Sequence, residues 1–176
     1  MKADLTFRPL AKSDFAMFAG WLAKPHVSRW WREPATVEHV AKEYGACTEG
    51  DFTTRVYVAS DGAKPIGIIQ VFRLADYPDE DKHYPFRGAV SIDYLIGEEA
   101  YVGHGVGTQM IGQFIETIVR PLYPEATGVA TGAEVDNPAS LGALRNAGFE
   151  PGGIITGEYG TPERLMMLRF QKLTKE

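Results

Sequence analysis

Seven consecutive residues, Val102-Gly103-His104-Gly105-Val106-Gly107-Thr108, place three glycines at alternate positions between a β-rich run and an apolar helical pattern. Glycine lets a backbone bend tightly and approach a ligand closely. The amides that open the following helix then face an anion, aided by the helix dipole. The guest such a turn suits is a phosphate or pyrophosphate; the plainer reading is a tight connection and nothing more. Two familiar phosphate motifs do not fit. A P-loop needs Lys-Ser/Thr after its last glycine, where this chain has Thr108-Gln109, and a dinucleotide fingerprint needs Gly where Thr108 stands. Asp93 is the second residue of interest. It interrupts the otherwise apolar stretch Ser91-Ile92-Asp93-Tyr94-Leu95-Ile96-Gly97. A carboxylate in a largely buried strand is costly unless it has a task or a partner, such as Arg87. Trp30-Trp31 is the third, either packed in the core or forming an aromatic wall suited to sugars and cations.

Other chemistry is poorly supported. His26, His39, His83 and His104 show no ligand-like pairing, so no metal site is expected. Asp79-x-Asp81-x-His83 lacks the glycine and terminal glutamate of a calcium loop. Cys47 is the only cysteine, which excludes an intrachain disulfide and a four-cysteine zinc site.

These residues need elements to hold them. Leu5 to Leu10 reads as a strand, and Ser13-Asp14 caps a helix carrying Phe15, Phe18, Ala19 and Leu22 on one face. Residues 24 to 34, with Trp30-Trp31, read as irregular. Thr36 caps a second helix through Val37, Val40, Ala41 and Tyr44. Thr53 to Ser60 and Ile66 to Phe72 form a hairpin around Asp61-Gly62. A polar loop from Asp76 to Arg87 precedes a strand from Ala89 to Ile96. The glycine turn opens a helix through Met110, Ile111, Phe114, Ile115, Ile118 and Val119, which Pro121 is expected to stop. Thr127 to Thr131 is a strand. Asn137-Pro138 opens a helix that Gly148 ends, and Phe149 to Ile155 and Arg164 to Phe170 close the sheet. The order β-α-α-β-β-β-α-β-α-β-β predicts an α/β chain with a mixed sheet flanked by helices.

The chain has 176 residues and a formal net charge of −5, the size of one ordinary domain, 1–176. The acidic balance argues against general nucleic-acid or anionic-membrane binding and suits a cationic small molecule. No secretory leader and no apolar run of about 20 residues is visible, which leads to the expectation of a cytoplasmic protein, monomeric or homodimeric.

With these residues in hand, the sequence resembles the GNAT N-acetyltransferase family. That family carries Gln/Arg-x-x-Gly-x-Gly/Ala before its central helix, and Val102-x-x-Gly105-x-Gly107 fills the pattern here. Its second signature is matched by Asn137, Ser140, Leu144, Gly148 and Phe149. The resemblance implies a central, splayed, mixed sheet and acetyl-CoA as cosubstrate. It implies pyrophosphate on the amides of Gly103, His104, Gly105, Val106, Gly107 and Thr108, after Val102. Pantetheine would pair near Leu95 and Ile96, whose amides would polarise the thioester carbonyl, and Asn137 would touch the cofactor. Leu144 stands where the family often has a tyrosine that protonates the leaving thiolate; Tyr94, Tyr101 and Tyr159 are alternatives.

Trp21-Leu22, Arg29-Trp30-Trp31, Ile92-Asp93-x-Leu95-Ile96 and the glycine turn look like the aminoglycoside 6'-N-acetyltransferase branch. In that branch an aspartate at the Asp93 position is the general base, taking a proton from a primary amine. An acidic pocket holds the polycationic acceptor. Trp30 and Trp31 would line it, and the loop residues Asp76, Asp79, Glu80 and Asp81 are candidates for its charge. The branch often reads Thr-Asp-Pro where this chain has Thr131-Gly132-Ala133, so Glu134 or Asp136 is expected to supply the missing charge. A siderophore-type branch, acylating hydroxylysine-like amines, usually has a histidine near the Asp93 position. A non-catalytic acetyl-CoA sensor and protein N-terminal acetylation are the other readings.

Overall fold

The computed structural model describes residues 2–50, 53–85 and 87–171. The side chain of Glu80, named above for the acidic loop, lies outside the described residues. Seven strands form the sheet: β1 (Leu5–Pro9), β2 (Thr54–Asp61), β3 (Lys64–Arg73), β4 (Val90–Ile96), β5 (Gly128–Glu134), β6 (Glu150–Thr156) and β7 (Pro162–Arg169). Their order is β1-β2-β3-β4-β5-β7-β6. β4 and β5 run parallel, whereas β1–β2, β5–β7 and β6–β7 are antiparallel, which gives the mixed open sheet the sequence predicts. Among the described residues no helix is long and apolar enough to cross a membrane.

Contacts divide the chain into two compact units. One holds residues up to Val71 together with Asp93–Met110; the other holds Phe72–Ile92 and the residues from Ile111 on.

In the first unit β1 pairs with β2 from Leu5↔Asp61 to Pro9↔Tyr57. Helix α1 (Phe15–Leu22) buries Phe15, Phe18, Ala19 and Leu22, spaced as one helical face. Asp14 does not cap α1 through its side chain. Its carboxylate accepts the Ala11 amide (2.9 Å) and both guanidinium arms of Arg8 (2.7 Å each), closing a 3₁₀ turn over Lys12–Asp14. Residues 24–34 are less irregular than expected: Pro25, at the first helical position, starts a short helix α2 (Pro25–Ser28). Thr36 caps α3 (Val37–Thr48) as the sequence indicates, its hydroxyl accepting the His39 amide at 3.1 Å. Val40 and Tyr44 of α3 join Phe18, Leu22, Val58, Ile68 and Leu95 in one buried cluster.

In the second unit a short helix α4 (Pro78–Asp81) lies inside the predicted acidic loop. Helix α5 (Val106–Phe114), whose residues up to Met110 are counted with the first unit, opens into a π turn over Ile115–Val119 and then a last turn α6 (Arg120–Leu122). Pro121 therefore does not stop the helix where expected. It donates no hydrogen bond and its ring crowds the carbonyl four residues back, so the preceding turn widens and the helix ends one residue later. Asn137 caps α7 (Pro138–Asn146) by accepting the Ser140 amide at 3.1 Å, and Gly148 (φ 96°) turns the chain out of it. β4 and β5 are in register at Val90↔Val129. Two residues on, the Ile92 carbonyl accepts from the Thr131 side-chain hydroxyl at 2.9 Å. A side chain there does the work of a ladder amide.

Candidate active site

Two glycines fix the C-terminal half of β4. A Cβ on Gly67 of β3 would lie 2.3 Å from the Leu95 carbonyl oxygen, so only glycine permits this approach of backbone to backbone. A Cβ on Gly97, just after β4, would lie 2.1 Å from the Trp21 ring. The Trp21 indole N–H donates to Glu98 Oε1 at 2.8 Å, and Lys24 Nζ donates to the Gly97 carbonyl at 2.8 Å. His26 Nε2 meets the Ile96 carbonyl at 3.0 Å, and the amides of Gly97 and Glu98 both reach the Ile66 carbonyl. The end of β4 is thus clamped from α1, α2 and β3. Leu95 points into the core and Ile96 has its carbonyl engaged, so what either offers a ligand is backbone rather than side chain.

Asp93 sits at the middle of this strand. Its partner is Gln70 of β3, whose Nε2 donates to Asp93 Oδ2 at 2.9 Å. Arg87, the cation weighed in the sequence, pairs instead with Asp81 at 3.0 Å. Although part of Asp93 touches solvent, burial pushes its carboxyl above the usual carboxylate range. The Gln70 hydrogen bond pulls the other way, and the negative charge of Glu33 adds to the rise. A carboxylate raised in this manner is better matched to taking a proton near neutral pH. Gln70 Oε1 is buried and has no hydrogen-bond partner among the described residues.

Glu33 was not singled out by the sequence. Its Oε1 accepts from the Trp31 indole at 2.5 Å and the Tyr44 hydroxyl at 2.6 Å, and its Oε2 meets His39 Nε2 at 2.8 Å. Burial, followed by Glu33, pushes the Tyr44 phenol far above its ordinary range, so it serves as a fixed donor. Nothing in Arg32-Glu33-Pro34 distinguishes this glutamate from a solvated one; the only local sign is the flanking Trp31 and the Thr36 cap that aims α3. The two tryptophans divide the expected roles. Trp31 packs against the core while its N–H goes to Glu33, and Trp30 is half-buried under the Arg29 guanidinium, 4.7 Å from the ring centre.

The glycine turn leaves open space beside its backbone. Gly103 (φ 79°) and Gly105 (φ 77°) adopt backbone that side-chain-bearing residues rarely take, and nothing lies within 4 Å of a Cβ built on either. Val102, Gly103, His104 and Gly105 are exposed, and Gly107 and Thr108 half-buried. Val106 is fully buried, anchoring the turn, so its side chain is not available to a ligand and only its amide remains. The first amides of an α-helix lack intrahelical carbonyl partners, and such amides suit an anion, the guest expected of this turn.

Of the other expected residues, Asn137, Leu144, Glu134, Asp136 and Tyr159 lie in the second unit, and Tyr94 and Tyr101 in the first. Asn137 is a helix cap, and Ser140, the next residue of that signature, is the donor it accepts from. Leu144 is fully buried and offers no proton. Of the tyrosines, Tyr101 is committed to Asp61, donating at 3.1 Å, and that bond raises its phenol. Asp136 is exposed and Glu134 half-buried, opposite Glu163 in the β5–β7 register. Glu163 was missed in the sequence. Its Oε2 lies 2.0 Å from where a Cβ of Gly132 would be, and its Oε1 1.9 Å from the equivalent point of Gly157. A carboxylate from β7 therefore fills the volume that Gly132 leaves empty.

Comparison with known proteins bears on these features. Residues 11–156 match the family described as "Acetyltransferase (GNAT) domain". The aminoglycoside N(6')-acetyltransferase type 1 of Klebsiella pneumoniae is 26% identical over 172 residues, spanning 94% of this chain and 84% of that protein; the same figures hold for that of Serratia marcescens. The solved structure of AAC(6')-Ib with paromomycin and acetyl-CoA superposes with a TM-score of 0.85 at 25% identity, covering 98% of both chains. That of AAC(6')-Ib with coenzyme A and kanamycin gives 0.84 at 26% identity, covering 94% of this chain and 95% of the other.

Proposed function

The chain belongs to the GNAT acetyltransferase family, and on that premise we propose that it moves an acetyl group from acetyl-CoA to the 6'-amine of an aminoglycoside. Its relatives act on or hold such acceptors by name, and the observation that carries the reading is Asp93. It is a carboxylate in a clamped strand, raised by burial and held by Gln70. A histidine would favour the siderophore-type branch at this position, and Asp93 is not one.

Acetyl-CoA supplies a thioester that an amine can attack. The amides of Gly103, His104, Gly105, Val106, Gly107 and Thr108, led in by Val102, receive its pyrophosphate, and the open, positive-φ glycines fit that group. The backbone of Leu95 and Ile96 is assigned to the acyl end. Asn137 stands as a further contact, from a side chain that also caps its helix. Asp93 binds the acceptor ammonium and takes its proton, freeing the nitrogen lone pair to form the C–N bond as the C–S bond breaks. The sulfur leaves as thiolate. Because a thiol titrates near ~8.5, its departure does not demand the tyrosine that Leu144 replaces. Trp30 and Trp31 line the acceptor side, and Glu134 and Asp136 add negative charge for its other ammonium groups.

In this reading residues 1–176 act as one domain, in the cytoplasm, as a monomer or homodimer. The test is thiol release from acetyl-CoA with and without kanamycin-type drugs at several pH values. Drug-dependent release that rises through the titration of a base supports it. Tight acetyl-CoA binding without release for any drug would refute the acceptor and leave a siderophore-type amine, a peptide terminus or a sensing role.

A further inference from the structure

Three side chains donate to, or share a proton with, one glutamate that the proposed chemistry does not use. Trp31 and Tyr44 both donate to Glu33 Oε1, at 2.5 and 2.6 Å, and His39 Nε2 sits 2.8 Å from Oε2. Glu33 and His39 are each about one-fifth exposed, so water screens the group only partly. The fold does not require the charge. A neutral glutamine at 33 would accept both donors on its own Oε1, and its NH₂ would meet the imidazole lone pair. A half-buried charge whose partners a neutral isostere would satisfy equally well points to work done by the charge itself.

We infer that Glu33 is a positioning and specificity-determining residue. Its carboxylate, anchored by the buried Tyr44 phenol, sets the partly exposed Trp31 indole as a wall for the acceptor, and adds a second negative charge to that of Asp93 for acceptors with more than one ammonium group. The inference rests on the aminoglycoside reading for its substrate class.

The groups facing one another here are few. Glu33 meets Trp31 of its own segment and His39 and Tyr44 of α3; Asp93 of β4 meets Gln70 of β3 and feels the charge of Glu33. Tyr44 in turn feels both carboxylates, which places the three in one electrostatic neighbourhood. A polycation brings its second ammonium into that field, whereas a monoamine has nothing to offer it. Glu33 touches no reacting atom, so it acts through Trp31, Tyr44 and Asp93.

The test compares Glu33→Gln and Glu33→Asp with the unaltered enzyme. Glu33→Gln should fold and bind acetyl-CoA normally. Its KM for a multiply charged aminoglycoside should rise about tenfold while that for a monoamino sugar barely changes. The rising limb of its pH–rate profile should move to lower pH by about half a unit or more, because a like charge beside Asp93 is gone. Glu33→Asp keeps the charge and shortens the reach to Trp31, so its limb should stay in place while KM rises. Unchanged KM and an unmoved limb in Glu33→Gln overturn the inference, as does a Glu33→Gln chain that does not fold. The indole N–H resonance of Trp31, assigned by its loss in Trp31→Phe, reads the bond to Glu33 without any acceptor. If the unaltered enzyme acetylates no aminoglycoside, the acceptor reading fails, while a displaced Trp31 resonance in Glu33→Gln still supports Glu33 as the residue that positions the ring, and an unmoved one refutes it.

Discussion

Gln70→Leu isolates the force that holds Asp93 down. The replacement keeps the volume of the side chain and removes the hydrogen bond that Gln70 gives to the Asp93 carboxylate. A hydrogen bond to a charged group contributes about 1.5–3 kcal/mol, and 1.36 kcal/mol corresponds to about one pH unit. The bond favours the ionised form, so its loss raises Asp93 further, by about 1–2 pH units. Thiol release measured at low acceptor concentration against pH reads this as a shift of the rising limb toward alkaline pH. The limb set by the acceptor's own amine belongs to the free substrate and should stay where it is. Stability should not suffer, because the substitution also removes the buried, unpartnered Gln70 Oε1, whose desolvation costs about 1–3 kcal/mol. A limb that stays fixed or moves toward acid would show that Asp93 is not the titrating base. The sign is opposite to that expected for Glu33→Gln, so the two variants check each other.

Asp93→Asn should keep acetyl-CoA binding and lose about 10²–10⁴-fold in turnover, read by thiol release. Its folded-state carboxyl is raised, so ionised Asp93 costs stability at neutral pH, and that cost fades as pH falls through the raised value; the variant should melt higher than the unaltered enzyme at pH 7 and lose the advantage in acid. Gly105→Ala meets no neighbour, so its effect is backbone strain of about 1–2 kcal/mol, and calorimetry should show acetyl-CoA binding weakened by about five- to thirtyfold with acceptor binding retained. Gly97→Ala drives a methyl into the Trp21 ring and pulls the indole from Glu98. Overpacking of about 1–3 kcal/mol and a lost charged hydrogen bond of about 1.5–3 kcal/mol should lower the melting temperature by at least ~6 °C.

Much of the fold could be read from local pattern because local pattern causes it. The α1 face, the Thr36 cap and the Asn137-x-x-Ser140 cap are interactions within a few residues of chain, and each stands where the sequence puts it. Asp14 and Pro121 differ because each answers to something beyond its own turn: a guanidinium six residues back for Asp14, and a helix able to widen for Pro121. The glycine turn and Asp93 were visible for a similar reason, being residue types out of keeping with their neighbours. Gln70, Glu33 and Glu163 were not. Each is an ordinary polar residue whose meaning comes from a partner on another element: Asp93 on β4, Tyr44 on α3, Gly132 on β5. Spacing along one chain carries no record of those meetings.

The seat of Glu163 links two positions that a column-by-column comparison treats as separate. At position 132 this chain has glycine where the branch it resembles often has aspartate; in space, a carboxylate is present, delivered across the ladder from β7. Any side chain introduced at 132 would collide with that carboxylate, and an aspartate would add like-charge repulsion to the collision. The Glu163 carboxylate must therefore swing aside, or position 163 be cut back, when 132 is filled. Grafting Thr-Asp-Pro alone onto β5 would thus move the Glu163 carboxylate from its seat, whereas exchanging both residues at once would leave the negative charge nearly where it was.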